Sequence, residues 1–315
     1  MKRLDAFNVL IFALFLAPAI LALFFVRVMP QPEPSDIAPG IMTITASQVS
    51  ELDAVFEALG YHWPPTTGDS QSHAIVPAIA VREMPVDIDT LTVDARKAIF
   101  FRVLAPLVAA ENRQLREERD FLLQAFEQYP QLPKSGAITS RVRAIASRFN
   151  VSGNLDSPEV RTRLLHRVDI VPAALALAQA ANESGWGRSR FTREANNLFG
   201  MWTWDKSQGI RPKERAKNAR YFIRVFDSLR GSVSNYLHTI NIGPAYRELR
   251  ELRAASRARG EYPDAMKLAA GLTRYSARGE KYVDEIREII EYNGLHELPP
   301  LRIEHENFAP AAAKK

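Results

Sequence analysis

At 315 residues the chain is long enough for one large domain with additions, or for two domains. With 46% hydrophobic and 24% charged residues it carries enough apolar surface to exclude disorder throughout. The absence of cysteine excludes disulfide scaffolds, thiolate nucleophiles and Fe–S clusters, and the net charge of +5 favours anionic partners.

Ala6 to Val26 carries no charge and is mostly Leu, Phe, Ile, Val and Ala. As a helix it spans about 31 Å, the hydrocarbon thickness of a bilayer. Lys2 and Arg3 precede it, so the N-terminus is expected in the cytoplasm and everything beyond Arg27 outside it. The run exceeds the apolar core of a cleaved signal peptide, and its end offers no small-residue cleavage site, which favours an uncleaved anchor over residues 1–29. Either membrane reading exports the remainder and removes nucleic acid as a partner.

Pro30, Pro32, Pro34 and Pro39, with acidic residues between them, read as an extended spacer. A short helix is expected at 47–59, then loop or irregular strand from Trp63 to Pro85, so that residues 30–91 form a spacer and irregular segment. A long helical stretch follows from Thr92 to about Gln128, on the four-residue repeats of Ile99, Val103, Leu107 and of Phe100, Leu104, Val108. Pro106 should kink or split it, and the charged half from Glu111 to Asp120 should be solvated on most faces.

Helices are expected at 138–149 and at 158–167, the second with Ser157 as N-cap and Pro158 in its first turn. Met201–Trp204 and Tyr221–Phe226 read as two strands of a hairpin. Helices return at about 228–239, 244–258, 263–271 and 279–292, and a loose polar tail runs over 297–315. The fold class is α+β, mostly α, with a domain over 92–296.

The stretch 172–184 is alanine on every face, which requires close neighbours all round and predicts a central helix. Asp169 can cap its start and Gly185 its end. Glu183 then lies in the last turn, where desolvation and the negative end of the helix dipole both favour the neutral acid. A general acid for glycosidic cleavage needs that state. A glutamate that only accepts backbone hydrogen bonds in the following turn would look the same.

Glu183-Ser-Gly-Trp-Gly, followed by Asn196-Asn-Leu-Phe-Gly, resembles the signature of bacterial peptidoglycan glucosaminidases, glycoside hydrolase family 73. Met201-Trp-Thr-Trp-Asp205 and Val225-Phe-Asp-Ser228 extend the resemblance, which covers roughly 90–296. It implies a lysozyme-like helical lobe with a small β-hairpin lobe flanking a glycan groove, and it makes Glu183 the catalytic acid. A lytic transglycosylase, or a wall-binding scaffold without turnover, are the competing readings.

Glycoside hydrolysis usually needs a second group to activate water or to stabilise an oxocarbenium-like transition state. Asp205, Glu214 and Asp227 lie in or beside the hairpin, and the resemblance favours Glu214, although a surface charge in a basic loop is an equal reading. Asp227, just before Ser228, reads as a helix cap. If the substrate acetamide acts instead, Tyr275 is similar to a tyrosine near the family's catalytic centre; otherwise it is a core aromatic. Trp186, Asn197, Trp202, Trp204 and Asp205 are the candidate glycan-binding residues, with Asn197 expected to support the turn and at least one tryptophan to pack in the core.

Arg247, Arg250, Arg253 and Arg257 form a helical stripe expected to be a solvated face. The six histidines show no metal-ligand spacing and no phosphate loop is present, so no metal and no cofactor are expected. The expected partners are peptidoglycan strands and the bacterial inner membrane, with the domain in the periplasm; the oligomeric state is open.

Overall fold

The computed structural model describes residues 40–66, 73–212 and 220–303. The expected anchor over 1–29, Glu214 and residues 304–315 lie outside the described residues. Among the described residues no helix is long and apolar enough to cross a membrane. The fold is α+β and mostly helical, as expected.

The spine is helix α2, Val93–Gln128, entered through Thr92, whose hydroxyl accepts from the Ala95 amide. An earlier helix, α1, spans Val49–Ala58 and matches expectation. Pro106 neither splits nor ends α2. Every residue from Ile99 to Asn112 is buried, so packing on all sides holds the helix through the hydrogen bond that proline cannot donate. The charged half is also less solvated than expected. Glu111 is buried against Arg230 at 2.7 Å, Glu118 pairs with Arg148, and Asn112 satisfies both backbone groups of Val171.

Helices α3 (Ala137–Arg148) and α4 (Pro158–Arg167) follow, the latter capped by Ser157. Helix α5, Ala173–Ser184, is buried on all faces from Ala173 to Ala181, as its composition requires, and packs against α2. Asp169 does not cap it: the N-cap is Pro172. Asp169 instead accepts two hydrogen bonds from Arg257 and lies 3.7 Å from Arg119 and 3.8 Å from Arg253. Burial pushes its carboxyl up, but Arg253, Arg257 and Arg119 together outweigh that and hold it below the ordinary range.

The short helix α6 (Arg190–Ala195) leads into a small antiparallel sheet. Its strands β4 (Trp202–Thr203) and β6 (Phe222–Arg224) are the two expected, paired Trp202 to Ile223. A third strand, β5 (Gly209–Ile210), pairs with the other edge of β6. The lobe is therefore three-stranded rather than a hairpin. Helices α7 (Leu229–Ile242), α8 (Arg247–Ala258), α9 (Ala265–Leu268) and α10 (Glu280–Tyr292) complete the helical layer. Ser228 caps α7 through its hydroxyl, so the cap expected of Asp227 is its neighbour's.

The arginine stripe on α8 is a solvated face only at Arg247, and Arg257 pairs with Asp169. Arg250 is buried and donates to the Ile240 and Gly243 carbonyls at the end of α7, while Arg253 donates to the carbonyls of His166, Asp169 and Ile170. Helix ends leave carbonyls without intrahelical partners, and a guanidinium satisfies several at once.

The described residues between 41 and 91, expected as an irregular segment with one short helix, pack into the domain. Strand β1 (Met42–Ile44) pairs in parallel with β3 (Ile79–Val81), and β2 (Ala74–Val76) pairs in parallel with β7 (Leu301–Ile303). Leu52, Phe56, Val76, Ile79 and Ile88 are fully buried in the same hydrophobic cluster as Leu104 and Leu175. No packing boundary falls at 91, and the start of the expected tail is a strand.

Candidate active site

Helix α5 ends as its sequence predicts. Gly185 takes the left-handed conformation (φ 57°, ψ 45°), which spares it the strain a Cβ would bring. The turn continues through Trp186 and Gly187, also at positive φ. The Ser184 hydroxyl donates to the Ala180 carbonyl and accepts from the Gly187 amide at 2.9 Å, locking the turn. A Cβ at Gly187 would sit 3.1 Å from Met84, so the N-terminal segment presses directly on this turn.

Glu183 occupies the last turn of α5, half-buried in accessible surface yet densely surrounded by protein. Desolvation is the largest influence and pushes its carboxyl from an ordinary 4.5 up to about 7. The Tyr282 hydroxyl and the Arg278 charge pull the other way, and Glu285 adds to the rise. Burial thus moves the carboxyl in the direction expected from the sequence.

Behind Glu183 lies a hydrogen-bonded chain of buried side chains. The Tyr236 hydroxyl donates to Gln179 Oε1 at 2.5 Å, and Gln179 Nε2 donates to the Tyr282 hydroxyl at 2.9 Å. Tyr282 in turn favours the Glu183 carboxylate. Tyr236, Tyr275 and Tyr282 are all pushed well above the ordinary phenol range, first by burial and further by Glu183, so they stay neutral donors.

Tyr275 is in this group. Its ring stacks on Tyr282 at 5.2 Å, and its hydroxyl donates to the Phe199 carbonyl at 3.3 Å. Phe199 in turn stacks on Tyr236 with centroids 3.9 Å apart. The Asn196–Gly200 segment therefore connects the small sheet to the aromatic wall around Glu183. Asn197 is buried and holds Met201 and Arg224 through three bonds of 2.8 Å, the turn-supporting role expected of it.

The other candidates are placed elsewhere. Trp186 is edge-on to Phe100 and Phe101 of α2, with the Lys97 ammonium 4.9 Å from its ring, so it braces the end of α5. Trp202 stacks on Tyr221 at 4.1 Å, while Trp204 is 55% exposed. Neither joins the hydrophobic core that at least one was expected to join: Trp202 is half-buried against Tyr221 and Trp204 is open. Asp205 is exposed and accepts from the Ser207 hydroxyl and amide, which holds its carboxyl below the ordinary range. It serves as a turn cap, and the charges acting on Glu183 are those of Arg278 and Glu285. Sequence reasoning missed Gln179, Tyr236, Arg278, Tyr282 and Glu285. Only Gln179, the one amide in an alanine-rich helix, carried a local signal.

Residues 161–295 match the family model described as mannosyl-glycoprotein endo-beta-N-acetylglucosaminidase. The chain is 36% identical over 192 residues to "Protein bax" of Escherichia coli, a stretch covering 59% of this chain and 66% of that relative. The chain thus spans just under two thirds of the relative's length. No solved structure matches. Residues 161–295, which hold every side chain gathered around Glu183, carry a glucosaminidase-type domain.

Proposed function

We propose that the protein is a membrane-anchored peptidoglycan hydrolase that cleaves the β-1,4 glycosidic bond after N-acetylglucosamine, with a lysozyme-like domain and Glu183 as general acid. The observation that carries this reading is the Glu183 carboxyl, held near pKa 7 at the open end of a buried helix inside the glucosaminidase-type segment. At neutral pH about half of such groups hold the proton a departing sugar needs.

The chemistry divides between groups. Glu183 protonates the glycosidic oxygen as the bond to the anomeric carbon breaks, and the resulting carboxylate is met by the Tyr282 hydroxyl and the Arg278 charge. The positive charge at the anomeric carbon is assigned to Glu214 as a supporting carboxylate, its neighbours Lys213 and Arg215 favouring the ionised state. Tyr275, directly stacked on Tyr282, is the residue to assist a substrate acetamide if that group acts instead. Trp204 supplies an exposed ring for stacking on a sugar face. The apolar run Ala6–Val26 after Lys2 and Arg3 supports inner-membrane anchoring with the domain in the periplasm.

The purified chain, incubated with isolated cell wall, is expected to release muropeptides with reducing N-acetylglucosamine ends. Mass spectrometry separates this from lytic transglycosylation, whose anhydro ends lack one water. Full release by Glu183→Gln overturns the assignment, since the amide has no proton to give. Binding of glycan with no product at any pH identifies a scaffold instead.

A further inference from the structure

Of the two charged side chains acting on Glu183, Arg278 faces the carboxylate that bond breaking leaves, while Glu285 has no place in that step. Arg278 lies in the turn before α10 and Glu285 one turn into it, and their side chains meet at 2.5 Å. Both are mostly buried, at 19% and 26% exposure. The Arg278 guanidinium also lies 5.3 Å from the ring centroid of Tyr282, whose hydroxyl favours the Glu183 carboxylate. Its Nε donates to the Ser276 hydroxyl at 3.3 Å. An ion pair is thus fixed one aromatic ring away from Glu183.

The titratable groups that interact with Glu183 come from several elements: Tyr282 and Glu285 on α10, Arg278 before it, Tyr275 after α9, Tyr236 on α7, and Tyr246 before α8. The four tyrosines are held neutral. Only Arg278 and Glu285 bring formal charge, and they oppose each other. Opposite charges in contact largely cancel at any distance greater than their separation.

We propose that Arg278 and Glu285 form a positioning ion pair that sets the pH range over which Glu183 keeps its proton, without either residue touching the glycan. This rests on the reading of Glu183 as the acid for its functional meaning, but not for its electrostatic content. With the pair intact, the guanidinium charge is mostly spent on Glu285, and burial governs Glu183. With Glu285 neutral, Arg278 acts on Glu183 alone and favours the carboxylate. With Arg278 neutral, Glu285 is left to oppose ionisation.

The test is a carbon-13 carboxyl NMR titration of Glu183 in the full chain, beside the pH profile of wall turnover. Glu285→Gln should move the Glu183 midpoint down by about one pH unit, and Arg278→Gln should move it up by a similar amount. The alkaline limb of turnover should follow each. The double variant should return the midpoint towards wild type. If a single variant does not fold, the exchanged pair Arg278→Glu with Glu285→Arg keeps the contact. Because Arg278 has the stronger influence of the two, exchange should raise the midpoint. Shifts in the same direction, or none, overturn the proposal, since a mechanical brace would lower stability in both singles and leave the midpoint where it is. The NMR midpoints stand even if the wall is not cleaved, so failure of the hydrolase reading is separable from failure of the pair.

Discussion

The Gln179 amide donates to the Tyr282 hydroxyl at 2.9 Å, between two helices and out of reach of solvent. That oxygen already accepts, and the Tyr282 hydroxyl favours the Glu183 carboxylate. Tyr282→Phe is therefore expected to raise the Glu183 midpoint and to orphan Gln179 Nε2. A buried donor without an acceptor costs about 1–3 kcal/mol. Urea denaturation measures the second effect and carboxyl titration the first.

Glu183→Gln should reduce wall turnover by at least about 10²-fold, the usual contribution of a positioned acid. Wild-type turnover should itself decline as pH rises through about 7, where the acid form is lost.

The same carboxyl has a consequence for folding. Its folded pKa lies above the ordinary 4.5, so the folded state binds the proton more tightly than the unfolded state does. That contribution is complete below about 4.5 and fades as pH rises through about 7. Glu183→Gln should thus be more stable than wild type at pH 8, with the two converging near pH 4. Denaturant midpoints at both pH values check it.

Asp169 has the opposite sign. Its carboxyl is held below the ordinary 3.8, so its stabilisation is present above that value and fades as pH falls through the folded pKa. Asp169→Asn removes the carboxylate shared by Arg119, Arg253 and Arg257. Breaking a buried pair of this kind costs about 3–5 kcal/mol. The variant should also lose less stability on acidification than wild type, by thermal melts from pH 6 to pH 3.

A chain starting at residue 92 would lack Leu52, Phe56, Val76, Ile79 and Ile88, all fully buried. It should fail to give a cooperative melt, whereas one starting at residue 40 should melt as the full chain does. The family match begins only at residue 161, so circular dichroism would separate the matched segment from the folding unit.

Where one element carries its own signal, the sequence was readable. Alanines all round α5, Gly185 at its end and the resulting rise of Glu183 follow from local chemistry. So do the β4 and β6 strands. The unreadable parts depend on remote partners. Strands β1, β2 and β3 are three residues each, too short to show a period, and proline punctuation hides their burial. A stripe such as Arg250 and Arg253 has one spacing whether it faces water or helix-end carbonyls. Tyr282 and Gln179 are 103 residues apart, and nothing local joins them. Glu214, the expected partner of Glu183, lies outside the described residues.

Strand β2 pairs with β7, so Ala74 meets Leu301 across nearly the whole described chain. A nascent polypeptide emerging N-terminus first would present β2 long before β7 exists. Until Leu301–Ile303 arrives, one edge of β2 has no strand partner, and the Ala74 amide lacks the Pro300 carbonyl that it bonds at 3.1 Å. Closing so long a loop is slow relative to local helix formation. Completion of the core is thereby tied to synthesis of Leu301–Ile303, and a ribosome stalled before residue 301 would hold a chain that cannot yet close.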